Sequence, residues 1–398
     1  MSVRTEESGF IKQVLRFAVV LASYFIGYGL VQPIMSLYTA GFVGTSYLMV
    51  GTLISTIGLV KASMDPVSGF LSDMYGRKRV ASVGALTMAV GMLITTLAAS
   101  SISLFVAYPL YGFGQALFFL AIMTSMVEVA GPSRRALALG IYEGVNGVSI
   151  LLGTIIVSAM AKAFELRLIF GVTTVLITLS FLLCALFTRE TLARRETGPV
   201  SLGLRGVRTF VSREYVTGMF CAFMFMYTHS LFTAVMPLYA TETIKIPLEL
   251  MPTLFMGFSG STAIGSFTAG PISDRVGRKP PIALGMLLLG VSFAALPFMD
   301  SLPSLTVVSL SSGFAAGFFH PVASAIIADV STEETRGKAY GFYRLVRDSG
   351  AFVGPAISGA IASLLGVSSV FGMSACLSAV GALLAIFVMR ETSRMRRG

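Results

Sequence analysis

The sequence predicts an all-α membrane protein: twelve transmembrane helices in two pseudo-symmetric six-helix halves. Three observations carry this: an apolar composition, twelve runs long enough to cross a bilayer, and a repeat that recurs at one constant offset. The 398 residues are 55% hydrophobic and 12% charged, with mean hydropathy +0.83. Water-soluble domains carry roughly 25% charged residues, so this chain holds more apolar surface than it could hide in water.

A helix needs about 20 apolar residues to cross a bilayer. Twelve segments qualify: 14–38, 46–72, 80–99, 102–128, 135–160, 166–188, 215–240, 249–272, 281–299, 303–329, 337–363 and 367–388. The polar first 13 residues lack a cleavage pattern, and the run after them is too long for a signal-peptide core, so it is span 1. Most gaps are tight turns. The exception, 189–213, carries Arg189, Arg194, Arg195, Arg205, Arg208 and Arg213 with Gly198 and Pro199. It predicts an N-terminal half over 1–188, a linker over 189–213 and a C-terminal half over 214–398.

Basic residues give the orientation. Of 29 Lys and Arg, 23 fall on the side that holds both ends and the linker, counting those at the adjoining span ends. Lys162, Arg167 and Lys245 fall on the other side, and Lys61, Arg344 and Arg347 lie inside spans. Positive residues mark the cytoplasmic side, which predicts a multi-pass protein of the inner (cytoplasmic) membrane with both termini inside.

The same placement explains the net charge of +10 without nucleic acid, because the basic residues sit in short segments between hydrophobic runs. Cys184, Cys221 and Cys376 all lie in apolar runs without CxxC or Cys/His spacing, and read as buried free thiols. No cofactor or metal site is expected. An enzyme would need a clustered catalytic set, and none is present.

The stretch "GFLSDMYGRKRV" at 69–80 is nearly repeated by "GPISDRVGRKPP" at 270–281. Asp73, Gly76, Arg77 and Lys78 match Asp274, Gly277, Arg278 and Lys279 at an offset of 201. The same offset maps Gly140 and Tyr142 onto Gly341 and Tyr343, and "RET" at 189–191 onto "RET" at 390–392. One shift over separated places implies a duplicated half. Six plus six helices in parallel repeat is a transporter architecture, with the substrate site near mid-membrane.

These residues resemble the signature between helices 2 and 3 of the major facilitator superfamily (MFS), Gly-x-x-x-Asp-x-x-Gly-Arg-[Lys/Arg]. The positions are Gly69, Asp73, Gly76, Arg77 and Lys78, with a second copy at Gly270, Asp274, Gly277, Arg278 and Lys279. The resemblance implies that Asp73 meets the start of span 11 near Arg336. It also implies that Arg77 pairs with Glu128 at the end of span 4, with Asp329 as the matching partner of Arg278. Such contacts would gate the chain from inside. Drug exporters of the family often carry Gly-Pro in span 5, where this chain has Gly153 and Thr154; its Gly354 and Pro355 lie in span 11. Sugar porters carry Pro-Glu signatures missing here. The subfamily stays open.

Charge at mid-helix is costly and needs a reason. Glu143 in span 5 fits either a proton carrier or a fixed ion pair, and its repeat counterpart is Arg344. His229 and His320 are the only histidines. Both suit a proton relay, although a hydrogen-bonded packing role is the commoner one. Depth arithmetic levels Asp65 with Arg344 and Lys61 with Asp348, with Arg347 able to share either acid; the resemblance implies that spans 2 and 11 adjoin, and the two together predict a charge clasp between them. Tyr24, Tyr28 and Gln32 are four apart and share a helix face. With Gln115 and Phe119 in span 4, Tyr227 and His229 in span 7 and His320 in span 10, they are the candidate substrate contacts; Phe118 and Tyr239 lie on the same spans. For Tyr24 and Tyr38, anchoring at the membrane interface is the alternative.

No phosphate-binding G-x-x-x-x-G-K-[S/T] stretch exists, so the expectation is a secondary active transporter working by alternating access. Proton-coupled export of an amphipathic or drug-like solute by a monomer in the bilayer is the leading reading. Uptake of a metabolite or sugar, or lipid flipping on the same fold, are the alternatives.

Overall fold

A computed structural model of the protein describes residues 2–191, 211–331 and 336–392. The described residues are helices joined by short turns, with no strand among them. Span 1 is Ser2–Val31, continued by Met35–Val43. Spans 2 to 6 are Tyr47–Tyr75, Arg77–Thr96, Ser101–Gly131, Leu137–Met160 and Leu166–Phe187. Spans 7 to 12 are Arg213–Thr243, Met251–Val276, Lys279–Phe298, Leu302–Val330, Arg336–Leu365 and Val367–Val388. Eleven of the described helices are long and apolar enough to cross a membrane on composition alone. Span 8 is the twelfth. It is 26 residues long, but "GFSGSTAIGS" fills its middle with small polar groups and dilutes its hydropathy.

One expectation about the spans changes. Span 1 is not one continuous helix, because Gln32, Pro33 and Ile34 form a turn between its two pieces. Pro33 cannot donate a backbone hydrogen bond, so the helix stops there. Spans 4 and 5 meet at Gly131, whose φ of 65° and ψ of 179° break the helical run before Pro132.

The chain clusters into two compact units. One is Met1–Phe42 with Thr56–Val200; the other is Val43–Ser55 with Ser201–Gly398. In the second unit the start of span 2 lies hard against span 11: a Cβ on Gly51 would overlap the Pro355 carbonyl, and one on Gly359 the Tyr47 carbonyl.

Helix packing follows the repeat. In unit 1, Gly112 of span 4 rests on the Ile57 carbonyl of span 2, and in unit 2 Gly313 rests on the Phe258 carbonyl. Gly153 rests on Ile26 and Gly29, and Gly354 on Tyr227 and Ser230. Each pair is displaced by 201 residues, so the duplication fixes backbone contacts as well as sequence landmarks. Small residues permit such approach between membrane helices, where van der Waals packing replaces the hydrophobic effect.

Cys184 and Cys221 are buried free thiols as expected, but Cys376 is exposed on the outer face of span 12. Tyr24 and Tyr38 are not interfacial anchors. They are 1% and 7% exposed, and Tyr38 stacks on Phe170 at 4.1 Å while its hydroxyl donates to the Thr95 carbonyl at 2.7 Å.

Candidate functional site

The repeated charged stretch builds one cluster in each unit. In unit 1 the chain turns between spans 2 and 3 at Gly76, whose φ is 98°. Only glycine adopts that conformation without strain. Arg77 then folds back on two acids: its Nη2 lies 2.6 Å from Asp73 Oδ1, and its Nε and Nη2 lie 3.2 and 3.1 Å from Glu128 Oε1. Arg77 is buried, whereas Asp73 and Glu128 are 46% and 30% exposed at the side chain.

A third acid completes the cluster. Glu190 accepts from the backbone N–H groups of Arg77 at 2.8 Å and Lys78 at 3.2 Å, so a side chain distant in sequence caps span 3. A carboxylate there also meets the positive end of the helix dipole. Next to it, Thr191 Oγ1 donates to Glu128 Oε2 at 2.7 Å.

Unit 2 repeats this. Gly277 has φ 98°, Arg278 bonds Asp274 at 2.6 Å and Asp329 at 3.1 Å, and Glu391 accepts from the N–H groups of Arg278 and Lys279 at 2.6 and 3.2 Å. Thr392 Oγ1 reaches Asp329 at 3.4 Å. Burial works against the Arg278 charge, but Asp274 and Asp329 outweigh it and hold its pKa above the ordinary arginine value. The expected pairs Arg77 with Glu128 and Arg278 with Asp329 are therefore formed. The sequence missed Glu190, Thr191, Glu391 and Thr392, although "RET" was visible as a landmark. An acid recurring at the end of each half was the available signal.

Mid-span, each unit also holds an aromatic cluster. In unit 1 the hydroxyls of Tyr24 and Tyr111 lie 2.7 Å apart, and Gln115 Nε2 donates to Tyr24 at 2.8 Å. Phe119 meets the Tyr24 ring edge-on at 5.0 Å, Phe118 lies 5.8 Å away, and Tyr28 stacks parallel at 6.3 Å. The structure thus joins Tyr24, Tyr28, Gln115, Phe118 and Phe119. It adds Tyr111, which the sequence reading passed over because its partner is 87 residues away. Gln32 stands apart: it lies in the turn at Pro33, and its buried Oε1 has no hydrogen-bond partner among the described residues.

In unit 2 the matching positions are Phe225, His229, Phe319 and His320. Phe225 stacks on Phe319 at 4.5 Å, and His320 meets it edge-on at 4.9 Å. His229 stacks on Phe258 at 5.1 Å. Tyr227 instead turns to span 11, with its hydroxyl 2.9 Å from Ser358. Tyr239 packs against Phe371 and donates to the Leu296 carbonyl, so it belongs to the packing of its unit.

Two further ion pairs each join neighbours on one helix. Lys61 lies 3.2 Å from Asp65 one turn on, and Arg347 Nε lies 2.7 Å from Asp348. Glu143 is exposed. Asp65 and Lys61 belong to unit 1 and Arg344 and Asp348 to unit 2, so the clasp between them stays a proposal.

The description "Major Facilitator Superfamily" fits residues 17–258 and again residues 218–397. The chain belongs to this superfamily. Among superfamily relatives, the multidrug resistance protein MdtG of Dickeya zeae (strain Ech586) is 25% identical over 386 residues, 94% of each chain. Multidrug resistance protein 1 of Bacillus subtilis (strain 168) is 31% identical over 158 residues, 39% of this chain and 40% of that one. Superfamily structures share the fold. The nucleoside transporter NupG aligns with TM-score 0.74 at 15% identity, over 94% of this chain and 98% of that one. A D-xylose-proton symporter aligns with TM-score 0.75 at 15% identity, over 96% and 98%.

Proposed function

We propose that this transporter exports amphipathic, drug-like solutes across the cytoplasmic membrane by alternating access, in exchange for protons, with both termini in the cytoplasm. The observation that carries the reading is the paired mid-span clusters. One is rich in phenols and phenyl rings, the other holds both histidines, and neither offers the dense hydrogen-bonding surface a sugar needs. Relatives named for multidrug resistance support it. Tyr28 and Gln32 in unit 1, with His229 and His320 in unit 2, are the proposed solute contacts. Glu143 and His320 are proposed to carry protons. The helix-end clusters around Arg77 and Arg278, with the clasp of Lys61 and Asp65 toward Arg344, Arg347 and Asp348, are the proposed inner gate.

The test is flux of tetraphenylphosphonium, a permanent lipophilic cation, into liposomes under an imposed pH gradient. Export in exchange for protons predicts accumulation when the lumen is acid. Accumulation with the bath acid instead would mean proton symport, as an uptake system requires. No response to either gradient would end the proton-coupled reading.

A further inference from the structure

Duplication sets unit 1 and unit 2 side by side residue for residue, and charge has entered only one of the two mid-span clusters. Tyr28 corresponds to His229, Phe119 to His320, Asn146 to Arg347 and Gly147 to Asp348. The four replacements come from spans 7, 10 and 11, all in unit 2. His320 lies within electrostatic reach of His229, Arg347 and Asp348. Asp348 is 7% exposed and held by Arg347 Nε at 2.7 Å. The Arg347 guanidinium also lies 5.8 Å from the centre of the Tyr343 ring. Glycines Gly350 and Gly354 press this part of span 11 onto Phe223, Tyr227 and Ser230 of span 7. A packing role does not need this arrangement. A buried ion pair contributes little net stability compared with apolar side chains of the same volume, and the unit 1 cluster packs without one.

We propose that the Asp348 carboxylate is a proton-binding site of the transport cycle, with Arg347 as its charged partner and His320 as the adjacent proton donor and acceptor. The inference rests on the proton-coupled reading above. Deprotonated, Asp348 cancels the charge of Arg347. Protonated, the carboxylate gains the proton and loses its charge, and Arg347 keeps an uncompensated positive charge that repels a cationic solute. Proton and cation therefore compete through one charge, and by linkage each weakens the other equally. The groups that bear on Asp348 within its unit are Arg347, Arg344, Tyr343 and Tyr340 on span 11, His320 on span 10, and His229 and Tyr227 on span 7. The sequence places Lys61 at the same height on span 2.

The test is tetraphenylphosphonium binding to the purified full chain from pH 5 to pH 9. Competition by one proton raises the wild-type Kd as pH falls, by at most ~10-fold per pH unit. Asp348→Asn should flatten the profile and abolish gradient-driven accumulation, while leaving counterflow exchange at equal pH. Because that variant leaves Arg347 buried without its acid, Arg347→Gln with Asp348→Asn is the second arm and should flatten it as well. Glu249→Gln, in the exposed turn before span 8 and outside the proposed sites, should keep the slope. A slope that survives in both Asp348 variants, or one lost equally in Glu249→Gln, overturns the Asp348 site while proton coupling stands. A flat profile with no gradient-driven flux in the wild type overturns the proton-coupled reading itself.

Discussion

Unit 1 and unit 2 share a backbone plan but fill it differently. Where unit 1 places Tyr24, Tyr111 and Gln115 in a closed hydrogen-bond chain, unit 2 places Phe225, Ser312 and Ala316. The polar groups of unit 2 appear one step over, at His229 and His320. At the helix ends the opposite holds: acid, arginine, glycine, capping glutamate and threonine recur in both units. The difference teaches that mid-span chemistry diverged freely while the turns were held. A turn at φ 98° with a capped helix start has few solutions, whereas many side chains can fill a lined cluster.

The strongest way to break the helix-end equivalence is to remove the arginines. Arg278→Ala takes from Asp329, with only 4% side-chain exposure, the arginine of its ion pair, and about 3 kcal/mol of stability should be lost. Arg77→Ala leaves Glu128, which is 30% exposed and can hydrate, so roughly 1 kcal/mol is expected. Thermal unfolding in detergent should rank Arg278→Ala clearly below Arg77→Ala. Equal losses would mean that exposure of the acid does not decide the cost.

A smaller effect sharpens the mid-span contrast. Tyr24→Phe makes unit 1 resemble unit 2 and strips the hydroxyl that joins Tyr111 to Gln115. Leaving those buried groups short of a partner should cost about 1–2 kcal/mol. Phe225→Tyr should fail to restore an equivalent chain, since Ser312 and Ala316 offer no phenol or amide. Unfolding temperatures of the two variants measure both. An unchanged Tyr24→Phe would remove the hydrogen-bond chain as a structural element.

The smallest expected change concerns the caps. Glu190→Gln and Glu391→Gln keep the acceptor oxygen but remove its charge at the helix start, at about 0.5–1 kcal/mol each. Both should cost the same, and raised salt should shrink the loss of stability at the more exposed site first. A cap that mattered in one unit alone would show in this pair.

The helices were legible because hydrophobic run length alone defines a bilayer span, and the repeat because a constant offset needs no structure to detect. The Arg77 and Arg278 clusters were half legible. Their signature named Asp73, Glu128, Asp274 and Asp329, but nothing local marks Glu190, which caps a helix 113 residues earlier in the chain. Gln32 is placed on a helix face by a four-residue spacing that runs one residue past Val31, where the helix ends ahead of Pro33. The gathering of Tyr24 with Tyr111, and of His229 with His320, depends on which helices adjoin. A single sequence does not carry that information.

The glutamate that closes each cluster has a consequence for modularity. Glu190 and Thr191 belong to unit 1, just past its sixth span, and bind its own third span and fourth-span end; Glu391 and Thr392 do the same in unit 2. Each half therefore carries its own fastener, and none of those bonds borrows an atom from the opposite half. A chain severed after Thr191 keeps the whole fastener in its first fragment, whereas one severed after Phe187 discards it. The point of fusion between two copies of such a unit is thus free to lengthen or change sequence without loosening either copy.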